Sequence, residues 1–357
     1  MSKKSIFLET HNIKNRFTGL GTFNYELIKA LSTLDFQNCE LTLNTPAPEI
    51  LKEEFGNKFT YNKYSSLSRH PLFRVRKKYD LWHSVNQNTK IEPFHKSKYL
   101  LTVHDVHFAD DLPSKGNDKA IENFKEKLKR ASSITYISEF VKKQAHEYFN
   151  IPDVPEYVIY NGNPASAIID TADYIPAVPV DKPFFYTIGD FIERKNFESS
   201  INMMKIIKDF NLIISGNNDK HYGEVIKKLI ADNGLSNQVF LTGKVSELEK
   251  QFYMKNCTAF LFPSLKEGFG IPPIEAMTFG KPTFLSDKTS LPEIGGNVSK
   301  YWTNFDPEYM KTVLLDGLND HENNKIEKEI LIKNRAASFD WKTAATEYFS
   351  IYNKLLS

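Results

Sequence analysis

Short apolar runs alternate with longer amphipathic segments along the whole chain, and this alternation occurs twice. The strand-like runs of the first half are "SIFLET", "CELTLNT", "LWHSV", "YLLTVHD", "SITYIS" and "YVIYNG". Those of the second half are "FFYTIGD", "FNLIISG", "QVFLTG", "AFLFPS" and "PTFLSD". Many are continuously apolar and stop at Gly, Asn, Asp or Ser, as strands do when both faces of a parallel sheet are covered. Between them lie helical patterns such as "GTFNYELIKALSTL", "ISEFVKKQAHEYF", "NFESSINMMKIIKDF" and "HYGEVIKKLIADNG". Two doubly wound α/β domains follow, each a Rossmann-like parallel sheet with helices on both faces.

The division is legible at "ASAIIDTADYIPAVPVDKP", which is punctuated by proline and has no sustained period. It gives a first domain at 1–165, a linker at 166–182 and a second domain at 183–338. Residues 339–357 read as an amphipathic helix, expected to pack back on the first domain, with Trp341, Ala345, Tyr348, Phe349 and Tyr352 near one face. Each half of the 357 residues is long enough to bury its own core.

Composition narrows the classes of partner. The formal charge is +2, from 46 Lys+Arg against 44 Asp+Glu, so the chain lacks the basic footprint of a nucleic-acid binder. Cys39 and Cys257 stand far apart in unlike surroundings, which suggests neither a disulfide framework nor a cysteine metal site. The apolar run Ile6 to Leu8 is too brief for a signal-peptide core. No stretch approaches the ~18 apolar residues that cross a bilayer. The expectation is a cytoplasmic protein that touches a membrane at most.

Four strand-to-loop sites carry chemistry, each beside a purely structural alternative. In "RFTGLGTFNYEL", Gly19 and Gly21 precede a helix whose first amides could receive a phosphate oxygen, or simply form a turn. Asn24 stands where a dinucleotide fingerprint needs its third glycine. In "YLLTVHDVHF", His104 and Asp105 stop a strand at the edge where open α/β sheets bind ligands. His104 can donate a hydrogen bond or take a proton near neutral pH. His107 nearby does not complete a metal set, because no further ligands follow with the right spacing.

In "YTIGDFIERKNF", Gly189 ends a strand and Arg194 and Lys195 lead into a helix starting near Asn196. Two cations oppose a helix dipole there, a cost that a bound diphosphate would reverse. In "LFPSLKEGFGIPPIEAMTFG", a buried strand enters a loop, and the helix after it stops at Gly280. Gly268 and Gly270 let backbone amides approach a ligand. Glu267 lies on the loop and Glu275 in the first helical turn, where the dipole favours its charge. Two carboxylates flanking bare amides suit a polyhydroxylated ligand, since each can accept from two hydroxyls.

The stretch "EGFGIPPIEA" resembles the E-x7-E signature of retaining GT-B glycosyltransferases of family 4. The likeness runs along nearly the whole chain: "TGLGTFNYEL", "TVHDV", "ITYISEFVKKQ", "VIYNG", "ERKNF", "VFLTGKVSELEKQFYMKNCTAFLFPSLKEGFG" and "LPEIGG" resemble the family's elements in order. The resemblance implies two Rossmann-like domains facing a cleft, the first binding the acceptor and the second a nucleotide-sugar donor. It implies that Glu275 binds the ribose, while Glu267 and the amides of Gly268, Phe269 and Gly270, with Ile271 beside them, hold the transferred sugar. Arg194 and Lys195 would neutralise the diphosphate behind Gly189. His104 would contact the sugar near its reactive carbon, Gly19 to Gly21 would close over the phosphates, and the base would lie near Gly243 to Val245. Many relatives carry Gly-Arg where this chain has Gly189-Asp190, so the diphosphate falls more heavily on Arg194 and Lys195. Subfamilies lacking that arginine resemble mannosyltransferases of bacterial surface-polysaccharide assembly, which favours GDP-mannose as donor and a glycan or lipid-linked glycan as acceptor.

No Asp-x-Asp occurs in the chain, so the reaction is expected to need no metal or other cofactor. "SRHPLFRVRKKYD" sets Arg69, Arg74, Arg76, Lys77 and Lys78 around Leu72 and Phe73, a segment suited to an anionic membrane or to one solvated helix face. A GT-B sugar-nucleotide epimerase and a non-catalytic sugar-nucleotide-binding protein are the alternatives to transfer.

Overall fold

A computed structural model of the chain describes residues 3–16, 18–36, 38–109 and 118–357. The chain forms two compact units, Met1–Gly162 with Asp340–Ser357, and Asn163–Phe339. The first unit contains strands β1 (Lys4–Glu9), β2 (Cys39–Thr45), β3 (Thr60–Lys63), β4 (Leu81–Ser84), β5 (Lys98–Val103), β6 (Ser133–Tyr136) and β7 (Glu156–Val158). Their order is β3-β2-β1-β4-β5-β6-β7, parallel throughout. The second unit contains β8 (Phe184–Ile188), β9 (Asn211–Ser215), β10 (Val239–Gly243), β11 (Ala259–Phe262), β12 (Thr283–Ser286) and β13 (Lys300–Trp302). Their order is β10-β9-β8-β11-β12-β13, again parallel. In both sheets the chain winds outward one way and then the other. The reversal lies between β1 and β4 in one unit and between β8 and β11 in the other.

Every strand read from the apolar runs is present. β3 and β13 are additional, and both are edge strands. Their sequences, TYNK and KYW, are partly exposed and so carry no continuous apolar run. The inner strands of the second unit show why their runs are unbroken. Phe184 and Tyr186 of β8 belong to one buried cluster and Phe185 to another, and Ile213 of β9 is likewise separated from Leu212 and Ile214. Alternate residues thus feed two cores on opposite faces.

The helix Trp341–Leu356 belongs to the first unit. Asp340 caps it by accepting the Thr343 amide at 2.8 Å, and Trp341, Ala345, Tyr348 and Tyr352 are buried. Tyr352 bonds the buried His83 ring at 2.7 Å, and Trp341 meets the edge of Phe23. Residues 167–183 carry no helix or strand and are tied within the second unit, where the Gln251 side chain bonds Ala167 and Ile169. The basic segment is not helical. Its start falls in two short 3-10 turns, Ser66–Arg69 and Pro71–Phe73, and residues 74–80 carry no helix.

Three neighbouring strands of the second unit end at glycines tied to the adjacent strand's end. The Gly189 amide donates to Ser215 at 3.0 Å, and the Gly216 amide donates to Gly243 at 2.8 Å. Gly216 has φ +142, and a Cβ there would lie 1.8 Å from the Gly189 carbonyl oxygen. Gly216→Ala should therefore destabilise the chain by about 3 kcal/mol or more in urea unfolding. Gly19 has no atom within 4 Å of a built Cβ and starts a helix. Gly19→Ala should stay within about 1 kcal/mol of the parent, on the stabilising side.

Candidate functional site

The loops that follow β8 and β11 meet because these strands are neighbours at the reversal of the second sheet. After β8 the chain passes Gly189 and forms a 3-10 turn, Glu193–Lys195, that ends on the left-handed Asn196. Only then does the helix Phe197–Met204 begin. Arg194 and Lys195 thus precede the helix entry and turn toward the neighbouring loop. Lys195 Nζ donates to Glu267 Oε1 at 2.5 Å, and Ser264 Oγ donates to the same oxygen at 2.7 Å. Arg194 lies 3.2 Å from Glu267 Oε2 and donates to the Lys266 carbonyl at 2.6 Å.

The two loops are also knitted through their backbones. The Leu265 amide donates to Arg194 at 2.7 Å, and the Asn196 side chain donates to Pro263 at 3.2 Å. Thr289, itself at φ +55, accepts the Glu267 amide, and the Ser290 hydroxyl donates to the carbonyls of Glu267 and Phe269. These serines and Thr289 are site-building residues that carry no sequence pattern of their own. The Lys195 stem packs on Gly189, where a Cβ would stand 3.2 Å from Lys195 Cε.

Lys195 and Glu267 are both about nine-tenths buried, whereas Arg194 is 38% exposed. Burial works against the Glu267 carboxylate, but Lys195 and Arg194 outweigh it and hold its pKa below the ordinary range. Burial, aided by Arg194, pulls the Lys195 pKa down against the attraction of Glu267. Removing one partner of such a pair costs about 3–5 kcal/mol, because the other charge stays buried. The trio carries one net positive charge, with Arg194 facing outward.

Gly270 sits at φ +122 ahead of the helix Ile271–Thr278, and a Cβ there would come within 2.9 Å of Leu291. Phe269 is buried, its ring edge-on to Phe339 at 5.7 Å. Glu275 occupies the second turn of this helix and not the first, so the dipole is not what holds its charge. Its partner is Lys250, at 2.6 Å, which also reaches Glu247 at 2.7 Å. Burial raises the Glu275 pKa in spite of Lys250. Burial also opposes the Lys250 ammonium, but Glu275 and Glu247 lift its pKa above the usual range. Lys250 lies in "SELEKQFY", where nothing but the structure singles it out. Gly243 ends β10 at φ +73, close to Asn218, and Val245 packs against the core. The structure thus joins Gly189, Arg194, Lys195 and Glu267, and places Glu275 on a second cation.

Gly19, Gly21 and His104 belong to the first unit. Gly19 and Gly21 do not precede the helix but form its first turn, and Thr18 already accepts the Gly21 amide at 3.2 Å. A Cβ on Gly21 would lie 1.8 Å from the Asn15 carbonyl oxygen, so Gly21 serves close packing. His104, just past β5, is buried, with Nε2–H donated to Val85 at 2.8 Å and its amide to Gln87 at 3.0 Å. Burial lowers its pKa to about 4, so it takes no proton near neutral pH, and Nδ1 is left as an acceptor. Among the described residues no three His, Cys, Asp or Glu side chains gather as a metal site, and no helix is long and apolar enough to cross a membrane.

Residues 170–336 match the family described as "Glycosyl transferases group 1". The chain is 29% identical over 206 residues to the O-antigen chain mannosyltransferase RfbU of Salmonella typhimurium, a match covering 56% of this chain and 55% of that one. It therefore spans about half the length of that relative. It is 22% identical to O-antigen chain mannosyltransferase B of Escherichia coli, over 98% of this chain and all of that one. Its fold matches the sucrose-phosphate synthase of Thermosynechococcus elongatus with a TM-score of 0.75 at 16% identity, over 99% of both chains. This is the GT-B fold of two Rossmann-like domains.

The buried histidines set a pH signature. His83 and His104 have pKa values lowered by burial to about 3 and about 4, against ~6.5 in an unfolded chain. Between those values the unfolded state binds more protons, so stability falls as pH drops from ~6.5 toward the folded values and the loss then stops. His104→Asn should remove up to about 1.4 kcal/mol per pH unit from that slope between pH ~6 and ~4. Urea unfolding across this range checks it, and an unchanged slope contradicts it.

Proposed function

We propose that this chain, whose residues 170–336 match the group 1 glycosyl transferases, moves a hexose from a nucleotide-diphosphate sugar to a hydroxyl of a glycan or lipid-linked glycan. The donor in this reading is GDP-mannose and the setting is surface-polysaccharide synthesis, supported by the names of its O-antigen relatives. One observation carries the reading: Arg194, Lys195 and Glu267 converge at the β8–β11 reversal, beside the amides of Gly268 to Gly270. Open α/β sheets bind ligands at such a reversal.

Glu267 and those amides hold the hexose, and Glu275 takes the ribose hydroxyls. The base lies by Gly243 to Val245. Transfer proceeds with retention. The bond from the anomeric carbon to the diphosphate breaks, the acceptor oxygen bonds to the same face, and its proton passes to the departing phosphate oxygen. Lys195 and Arg194 stabilise the charge that develops there, as fixed charges do in a water-poor site.

The acceptor end of the reading includes a membrane surface at the inner face of the cytoplasmic membrane. Leu72, Phe73 and Phe94 are more than half exposed in the first unit. The Arg76 guanidinium sits 5.3 Å from the Phe94 ring centre, and the Phe94 amide bonds Val75 at 3.1 Å. The loop bearing Phe94 is anchored by the buried Glu92, which pairs with Lys127 and, at 2.8 Å, with Arg130. Exposed apolar side chains in a segment that also carries Arg74, Arg76, Lys77 and Lys78 suit an anionic interface.

GDP-mannose at ~100 Kd should stabilise the protein by ~2.7 kcal/mol, with UDP- and ADP-sugars giving less. Lys195→Ala should lower turnover by ~10²-fold or more while a folded state persists by circular dichroism. Near-parental turnover, or no response to any sugar nucleotide, sinks the reading. For the membrane surface, a triple reversal of Arg74, Arg76 and Lys77 to Glu should weaken sedimentation with phosphatidylglycerol vesicles by ~100-fold or more, at ~1 kcal/mol per cation. Unaltered sedimentation rejects that surface.

A further inference from the structure

The helix Ile271–Thr278 buries a carboxylate that Arg194 and Lys195 do not hold. Glu275 Oε1 accepts from Lys250 Nζ at 2.6 Å, and Oε2 makes no hydrogen bond among the described residues. Lys250 comes from the helix Glu247–Asn256, whose start is fixed by a capping box between Ser246 and Glu249. On that helix Lys250 also reaches Glu247 Oε2 at 2.7 Å, while Glu247 Oε1 takes Gln251 Nε2–H at 3.0 Å. Gln251 is buried and donates to the Ala167 carbonyl at 3.1 Å. The lysine is thus braced on its own helix while its ammonium spans to the next one.

The two carboxylates on Lys250 differ in what they need. Glu247 is 50% exposed and would make an ordinary i, i+3 pair by itself, which neutralises the lysine near water. Glu275 is 5% exposed and cannot rely on water. The reach across therefore serves the carboxylate. Burial pushes the Glu275 pKa up, Lys250 pulls it back, and Glu247 adds a smaller push upward. No other group takes over. Tyr186 of β8 feels the charge of Glu275, but burial holds its hydroxyl far above the ordinary range, so it stays neutral. β11 and β12 bring no titratable side chain. Glu329 and Lys333 pack at Gly280, past the other end of the helix. Arg335 donates to the carbonyls of Glu293 and Ile294, on the helix Leu291–Gly295. Among the described residues Lys250 is the one cation acting on Glu275.

We infer that Lys250, braced by Glu247, is the positioning residue of Glu275, holding Oε1 and leaving Oε2 to take the ribose hydroxyls of the donor. The inference rests on the glycosyltransferase reading, in which Glu275 grips the ribose, and deepens it with a residue which that reading does not use. An ionised oxygen has lone pairs for two vicinal hydroxyls, whereas a protonated carboxyl gives up part of that capacity to its own hydrogen. Without the ammonium, burial acts unopposed and Glu275 takes a proton as pH falls through its raised pKa.

The test measures binding of GDP, UDP and ADP to the full chain by calorimetry from pH ~6 to ~8.5, following the tightest of the three. Lys250→Gln keeps a donor for Oε1 and removes the charge. Its affinity, relative to the parent at the same pH, should fall as pH is lowered, by up to about tenfold per pH unit. Lys250→Met should fall further, by about tenfold or more at pH ~6.5. If Lys250→Met does not fold, Lys250→Gln decides alone. Lys250→Arg should restore the pH profile of the parent. Adding Glu275→Gln to Lys250→Gln should flatten the profile, since no carboxyl is left there to titrate. Infrared spectra of Lys250→Gln at pH ~6.5 should show a protonated-carboxyl band that the parent and the double variant lack. A Lys250→Gln profile parallel to the parent's, or the absence of that band, overturns the assignment. A parent that binds none of the three nucleotides defeats the transferase reading instead, and the infrared band still decides whether Lys250 sets the state of Glu275.

Discussion

The contact between Lys195 and Glu267 is the constraint on which the second unit's site depends. It joins the loop after β8 to the loop after β11, the two strands that flank the sheet's reversal. A buried ion pair is a poor source of net stability, because desolvation offsets most of its attraction. Its value lies in geometry. Ser264 shares the carboxylate oxygen, the Phe262 ring lies under the ammonium at 4.8 Å, and Gly189 leaves room for the lysine stem. Together they fix a carboxylate and a cation beside the Gly268–Gly270 turn. Arg194 is the member free to respond to a ligand, being partly exposed and bound chiefly to a backbone carbonyl.

Both carboxylates of the E-x7-E stretch are therefore already engaged by lysines, but by different ones. Glu267 belongs with Lys195, and Glu275 belongs with Lys250. They do not form an acid–base pair, since neither is paired with the other and each has a cation of its own. Two separately neutralised carboxylates are better suited to gripping two parts of a polyhydroxylated ligand. The charge left over, one positive unit near Glu267, sits where a leaving diphosphate would need it.

What the sequence makes legible follows from what leaves a pattern. Strands covered on both faces must be apolar throughout, so β1, β5, β8 and β11 are visible as runs, and the loops after them are visible as glycines and charges. Edge strands such as β3 and β13 need no such run. Glu275 illustrates a boundary error with a physical consequence. The helix starts at Ile271, so Glu275 is its fifth residue, one turn beyond the free amides where the dipole acts. Lys250, Ser264, Thr289 and Ser290 leave no pattern, because an isolated lysine or serine is ordinary until a fold sets it beside a carboxylate. His104 was visible as a strand-end residue, but its neutrality comes from burial against Val85 and Phe23, which only packing reveals.

The two units solve the same topological problem with opposite chemistry. Each ends its first strand at a reversal and places a buried carboxylate nearby. In the second unit that carboxylate is met by lysine and arginine, leaving a positive excess suited to phosphate. In the first, Glu9 is met by the imidazole of His11 and stands in register with Asn44. Charge requires a partner of opposite charge, and the cations of "ERKNF" announce it in the sequence. A neutral polar row requires only donors and acceptors held in register, and "LETHN" announces nothing until β1, β2 and β3 are laid side by side. A charged cluster is therefore readable from a chain of this kind sooner than a neutral polar row, and the neutral row is where the fold itself adds the most.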